Sequence, residues 1–143
     1  MKRIRQHVTT TAKAAALALG LSGAAMAQEQ ILISSEWGNV KAELVDNEAT
    51  RSLVKMLPVT IEMRDHMRQE KTGDLPSPLA PSPRQTGFSK GTLGLWSADH
   101  FVIYYREGRV PQPGIVILGK VTGDVAIFDR PGTLKVRVEL APR

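Results

Sequence analysis

From Thr92 onward the chain is written almost entirely in strands and turns, and that spacing restricts it to a β architecture. "TLGLW" and "FVIYYR" flank "SADH", "GIVILGKV" follows "VPQPG", and "TLKVRVEL" nearly closes the chain. In that last run Leu134, Val136, Val138 and Leu140 alternate with Lys135, Arg137 and Glu139. Such a strand has one face on a core and the other in water. "TGDVAIF" supplies a short helical turn near 124–128.

Upstream the same grammar holds with one interruption. "QILISSEWGNVKAELVDN" reads as a hairpin about Gly38-Asn39, with Val40, Ala42 and Leu44 on one face of its second strand. The period then changes: Ala49, Leu53, Met56 and Leu57 share one face of a helix over about 48–57. Asp46 or Asn47 caps it, Glu48 suits its positive end and Pro58 stops it. "VTIEMRD" returns to alternation, with Val59, Ile61 and Met63 on one side. The polar stretch 66–75 reads as a loop with solvated charges. The four prolines between Pro76 and Pro83 rule out a ladder there and make a rigid surface connection, with P-x-x-P spacing as an alternative recognition segment. Seven or eight strands and one firm helix, with no internal repeat, predict a mainly β, closed antiparallel barrel in a single domain, 28–143.

The first 27 residues have a different logic. "MKRIRQH" is a positive start, "AAALALGLSGAA" an apolar stretch, and "AMA" at 25–27 a small-x-small cleavage site. These are the three parts of a secretory signal, predicting a periplasmic or secreted protein cut after Ala27. The apolar stretch is too short to span a bilayer comfortably, so no membrane insertion is expected after cleavage. No Cys stands near the cut for a lipid anchor, and the chain has none anywhere. Thiol catalysis, iron–sulfur clusters and Cys-based zinc sites are therefore excluded, and stability must come from an apolar core. Charge is equally uneven. Of 19 Lys and Arg, Lys2, Arg3, Arg5 and Lys13 precede the cut, leaving 15 against 14 Asp and Glu. The pI of about 9.8 thus belongs mostly to the signal and gives no reason to expect nucleic-acid binding.

The order of the later strands carries a family resemblance. "GTLGLWSADHFVIYY" followed by "GIVILGKV" resembles the cyclophilin pattern of a G-x-L strand, a turn, a Q-F-F-I strand and V-V-F-G-K-V. With "DNEATRSLVKMLP", "EKTGDLP" and "FVIYYR", the chain is most similar to small bacterial cyclophilin-like proteins over roughly 31–141. The resemblance implies a cyclophilin-like barrel and raises the question of prolyl isomerisation. That activity lowers a barrier of about 18–20 kcal/mol by gripping a proline ring in an aromatic pocket beside an arginine. Counting without gaps from Gly73-Asp74 puts Met63 at the arginine position, Arg68 at the Phe and Lys71 at the Gln position. Arg64 is the nearest arginine, one residue off, so bringing it to the site would require a bulge. On the other wall Val102 replaces the pocket aromatic, while Val110 and Ile115 fall at the Trp and His positions.

Two further constellations read as structural. His66 and Glu70 would share a face only if helical, and two His in the mature chain make a poor metal site. Asp99-His100 stands in a turn, and "SADH" is no nucleophile elbow. Alternation sends His100, Val102 and Tyr104 to one face of their strand and Phe101, Ile103 and Tyr105 to the other. The sequence therefore points to a binding module without the isomerase constellation, its cleft near Met63, Arg64, Lys71, His100, Val102 and Tyr104. Arg64 and Lys71 favour a small anionic ligand or an extended peptide, with no cofactor and no metal. The alternative is a divergent isomerase using Arg64. Expression in a bacterium followed by intact-mass measurement of the exported protein should give a chain beginning at Gln28; a retained N-terminus would refute the signal reading.

Overall fold

In the computed structural model, which describes residues 28–143, the expected hairpin is formed by β1 (Gln30–Ser35) and β2 (Gly38–Leu44). Helix α1 (Glu48–Met56) follows, capped by Asn47 as its side-chain chemistry predicts. The Asn47 carboxamide oxygen accepts from the Thr50 N–H at 2.8 Å, and Thr50 Oγ1 accepts in return from the Asn47 N–H at 3.1 Å. Leu57 is already extended, the conformation a following proline imposes. The helix buries Ala49 and Leu53 completely in the core.

Next come β3 (Val59–His66) and β4 (Glu70–Asp74). The stretch read from sequence as a loop is thus mostly strand, and β4 lies inside the sheet between β3 and the later strand His100–Tyr104. Its turn uses Met67 and Arg68 at φ of 55° and 52°, left-handed positions for which a chain normally chooses Gly or Asn. The turn signal was therefore missing from the sequence. Glu70, expected among solvated charges, and Lys71, expected in the cleft, are both buried.

The proline segment adopts no strand between Pro76 and Pro83, as expected, but it is tied down. The Ser82 hydroxyl accepts from the Ala49 N–H at 3.0 Å, and the Ser52 hydroxyl accepts from the Ala80 N–H at 2.9 Å. Two short strands, β5 (Arg84–Gln85) and β6 (Gly87–Phe88), lead into β7 (Thr92–Trp96) and β8 (His100–Tyr104). Then follow β9 (Gly108–Arg109), β10 (Ile115–Val121), a 3-10 turn at Val125–Phe128 and β11 (Leu134–Leu140). The helical turn expected near 124–128 is this 3-10 turn.

The main sheet runs β2-β1-β11-β3-β4-β8-β7-β10-β5, and β10 also pairs with β2. Eight of these strands close into an antiparallel barrel, the expected fold class. The closing strand is "IVILGKV": Val116–Lys120 pairs with β7, and Gly119–Val121 pairs with β2. A bulge lets Leu118 drop out of the β7 register between Ile117 and Gly119. At Gly119 an added Cβ would sit 2.1 Å from the Glu43 carbonyl oxygen, so only Gly lets β10 reach its second partner.

One end of the barrel is sealed by charge. Lys71 is fully buried, and its Nζ donates to Asp65 Oδ1 at 2.9 Å and to the Arg130 and Gly132 carbonyls at 2.5 and 3.1 Å. It also lies 5.0 Å from the centre of the Trp37 ring. Tyr105 donates to the same Asp65 oxygen at 2.5 Å. Burial opposes ionisation of Asp65, but the bonds from Tyr105 and Lys71 outweigh it and hold the carboxyl below its ordinary value.

Two predictions follow from closure and sealing. Gly119→Ala should cost about 2–3 kcal/mol in chemical denaturation, whereas Gly87→Ala, with nothing near its Cβ, should stay within about 0.5 kcal/mol. Lys71→Met should cost about 3 kcal/mol at neutral pH by removing the buried cation of Asp65 and leaving it only the half-exposed Arg68, whose guanidinium lies 3.2 Å away. Because a depressed carboxyl contributes stability above its unfolded pKa and loses it as pH falls, the deficit of Lys71→Met should shrink below about pH 4. An equal deficit at every pH would refute the Lys71–Asp65 account.

Candidate functional site

Strand parity divides the residues singled out from the sequence. On β3, Val59, Ile61 and Met63 face the barrel core, while Thr60, Glu62, Arg64 and His66 face outward. Arg64 lies opposite Thr72, and His66 opposite Glu70, in an unbroken register. Arg64 therefore reaches the outer face by plain alternation, without the bulge that the sequence count required. Met63 and Lys71 face inward instead, Met63 as packing and Lys71 as the seal just described. Lys71 shares no cleft with Arg64, whereas Met63, though almost fully buried, lines the wider hollow beside it.

On β8 the predicted parity holds. Phe101 and Ile103 join the main core with Tyr105, while His100, Val102 and Tyr104 face outward beside Asp74, Thr72 and Glu70 respectively. This outer face is covered for most of its length. Val102 and Tyr104 are fully buried in a second apolar cluster with Phe88, Val110 and Ile115, flanked by Trp96 and Ile117. Phe88 stacks on Tyr104 with ring centres 3.8 Å apart and planes at 20°. Gly94 leaves room for the Tyr104 ring, where a Cβ would come within 3.1 Å of Cε2. Gly108 does the same for Phe88, where a Cβ would meet Cζ at 2.7 Å. The expected opening over Val102 and Tyr104 is thus occupied by the protein's own Phe88. Nothing in the sequence marked Phe88 as a cover, because its contact with Tyr104 is made by the β6–β9 pair folding over the sheet.

What stays open is the strip beside this cover. Arg64, His66, Glu70, Thr72, Trp96 and His100 line a depression of about 200 Å³, with Ser97 at its edge. His100 Nε2 lies 3.1 Å from Asp74 Oδ1 and 3.6 Å from Asp99 Oδ1, which fixes its ring at the rim. Arg64 has no hydrogen bond or ion pair among the described residues. On its other side is a wider hollow of about 770 Å³. That hollow is lined by Glu36, Glu62 and Asp74 as well as Lys135, so its field is less favourable to an anion.

The floor of the smaller depression is unusual. Glu70 is 1% exposed, and one carboxylate oxygen accepts from Gln69 Nε2 at 3.1 Å. Among the described residues the other, Oε2, makes no well-directed hydrogen bond, nor does the buried Tyr104 hydroxyl, although the Tyr104 hydroxyl and the Trp96 indole both lie close to the Glu70 carboxyl. Burial pushes the Glu70 carboxyl above its ordinary value, opposed by the Gln69 bond and the nearby His66. Burial likewise pushes the Tyr104 phenol far up. His66 and Glu70 thus do meet, across a hairpin rather than along a helix. Among the described residues no group of three or more His, Cys, Asp or Glu is placed to hold a metal ion.

This architecture has counterparts among solved structures. A hypothetical protein of Archaeoglobus fulgidus superposes with a TM-score of 0.64 at 12% identity, over 80% of this chain and 96% of its own. A cyclophilin-type peptidyl-prolyl cis-trans isomerase of Cryptosporidium parvum superposes with a TM-score of 0.59 at 15% identity, over 81% and 99%. At these identities the likeness shows the fold alone. No curated protein matches the sequence. The model of the Cyclophilin-like family matches residues 33–139, which takes in every barrel strand in whole or in part, and the chain belongs to that family.

Proposed function

We propose that this protein is an exported binding module whose outer face takes the anionic group of a small molecule or an extended peptide. The observation that carries the reading is the unpartnered Arg64 guanidinium at the rim of the depression. Its fork of donors matches a carboxylate or phosphate, and His66 and His100 add imidazoles on the same rim. Trp96 offers an apolar wall beside them. The signal segment at 1–27 supports export.

A second reading, divergent prolyl isomerisation through Arg64, gains from one observation: Arg64 faces outward without any bulge. Against it stands the second apolar cluster. An isomerase needs an open aromatic pocket for the proline ring, and here Phe88, Tyr104, Val110 and Ile115 pack against one another in a filled layer. Binding without isomerisation is the better-supported function.

One peptide tests both readings. Acetyl-Ala-Pro-Ala with a free carboxylate, titrated into the 15N-labelled full chain, should shift the Trp96 indole N–H. The C-terminal amide should do so at least about tenfold more weakly, and Arg64→Ala should abolish the difference. Exchange spectroscopy on the same sample should show no acceleration of the cis–trans step. A carboxylate-independent response would overturn the anion reading, and acceleration lost in Arg64→Ala would establish the isomerase.

A further inference from the structure

The depression carries the Arg64 guanidinium and two imidazoles at its rim and a buried, incompletely bonded acid at its floor. Leaving a buried carboxylate oxygen unpaired costs about 1–3 kcal/mol, and more when the group is charged. Native proteins carry few such atoms. Here Glu70 Oε2 makes no well-directed bond, and only the buried Tyr104 hydroxyl on the paired strand and the Trp96 indole come close to its carboxyl. The contrast with Lys71 is direct: that buried charge has three oxygen partners within 3.1 Å. The fold can satisfy a buried charge where nothing else must fit. At Glu70 it leaves one acceptor open beneath a depression that reaches solvent.

We propose that this floor is the seat of a ligand's amino group, which makes the ligand an α-amino acid or a free-standing zwitterion of that size. The inference rests on the anion reading of Arg64. The carboxylate of the ligand pairs with Arg64 at the rim. Its ammonium donates to Glu70 Oε2, with the buried Tyr104 hydroxyl behind helping to position that carboxylate. A volume of about 200 Å³ suits a molecule with one amino-acid backbone and a modest side chain, not a nucleotide or a folded partner. Trp96, half-buried at the wall, is the surface for that side chain. Charge also discriminates: a plain monoanion would place nothing on Glu70 and would meet its negative charge unaided. A ligand with both groups satisfies both walls at once.

L-alanine and propionate, which differ by the α-ammonium, are the probes. Titrated into the 15N-labelled full chain, L-alanine should shift the Trp96 indole N–H with at least about tenfold higher affinity than propionate, as expected for a charge-assisted bond in a desolvated site. Glu70→Gln should remove that advantage, weakening L-alanine and strengthening propionate as the opposing negative charge is lost. Tyr104→Phe, which keeps the ring stacked under Phe88, should reduce the advantage several-fold and guards against a folding artefact at Glu70. Arg64→Ala should weaken both probes. Equal binding of L-alanine and propionate, or an advantage that survives Glu70→Gln, would overturn the amino-group seat while leaving the anion reading intact. Absence of any Arg64-dependent response to either probe would overturn both.

Discussion

Everything in this structure depends on a contact that only a missing side chain permits, the approach of Gly119 to the Glu43 carbonyl. An antiparallel sheet that fails to close leaves edges of unpaired N–H and C=O groups. Closure through β10 removes the edges between β2 and β7, and it converts two half-buried sheets into one continuous interior. The bulge at Leu118 is the other half of the device. It re-aims the strand so that Val116, Leu118 and Val121 all reach the core although they do not follow simple alternation. With the wall closed, the two ends need only plugs. The helix is held at one by Asn47, whose amide also donates to the Ile117 carbonyl at 2.9 Å. Lys71 and Asp65 hold the other.

Much of this was legible in the residues because parity is a local property. The alternation in β11, the two faces of β8, the cap at Asn47 and the halt at Pro58 each follow from a few neighbouring side chains and have a single physical solution. The candidate site was legible only in part. Arg64, His100, Val102 and Tyr104 share the outer face as alternation demands, whereas Met63 and Lys71 do not. The error came from one hairpin. Its turn is built from Met67 and Arg68, which carry no turn signal, and its second strand carries Glu70 and Lys71, which read as solvent-facing. Both charges are buried for reasons lying far off in sequence: the Arg130 and Gly132 carbonyls for Lys71, and Tyr104 with Trp96 for Glu70. No count along the chain reaches such partners.

The two buried charges show different treatments of the same difficulty. Taking an ion out of water is costly unless its bonding capacity is filled. Around Lys71 the chain converges on the ion from three segments, and the ion in turn fixes those segments in place. Around Glu70 it converges from one side only. Such asymmetry within a single small barrel separates a group that serves the fold from a group held ready for something outside it.

The layer over β8 has a consequence for how such a barrel diversifies. Phe101 and Ile103 answer to the interior, Val102 and Tyr104 to the outer layer, and the backbone between them is shared. One strand thus carries two interleaved texts. Changes at its even positions, together with those at Phe88 and Gly108, rewrite what the surface presents without disturbing the packing that keeps the cylinder round. The exterior layer contributes its own burial to stability, yet it can be refilled or reshaped while the interior packing of the same strand stays as it is.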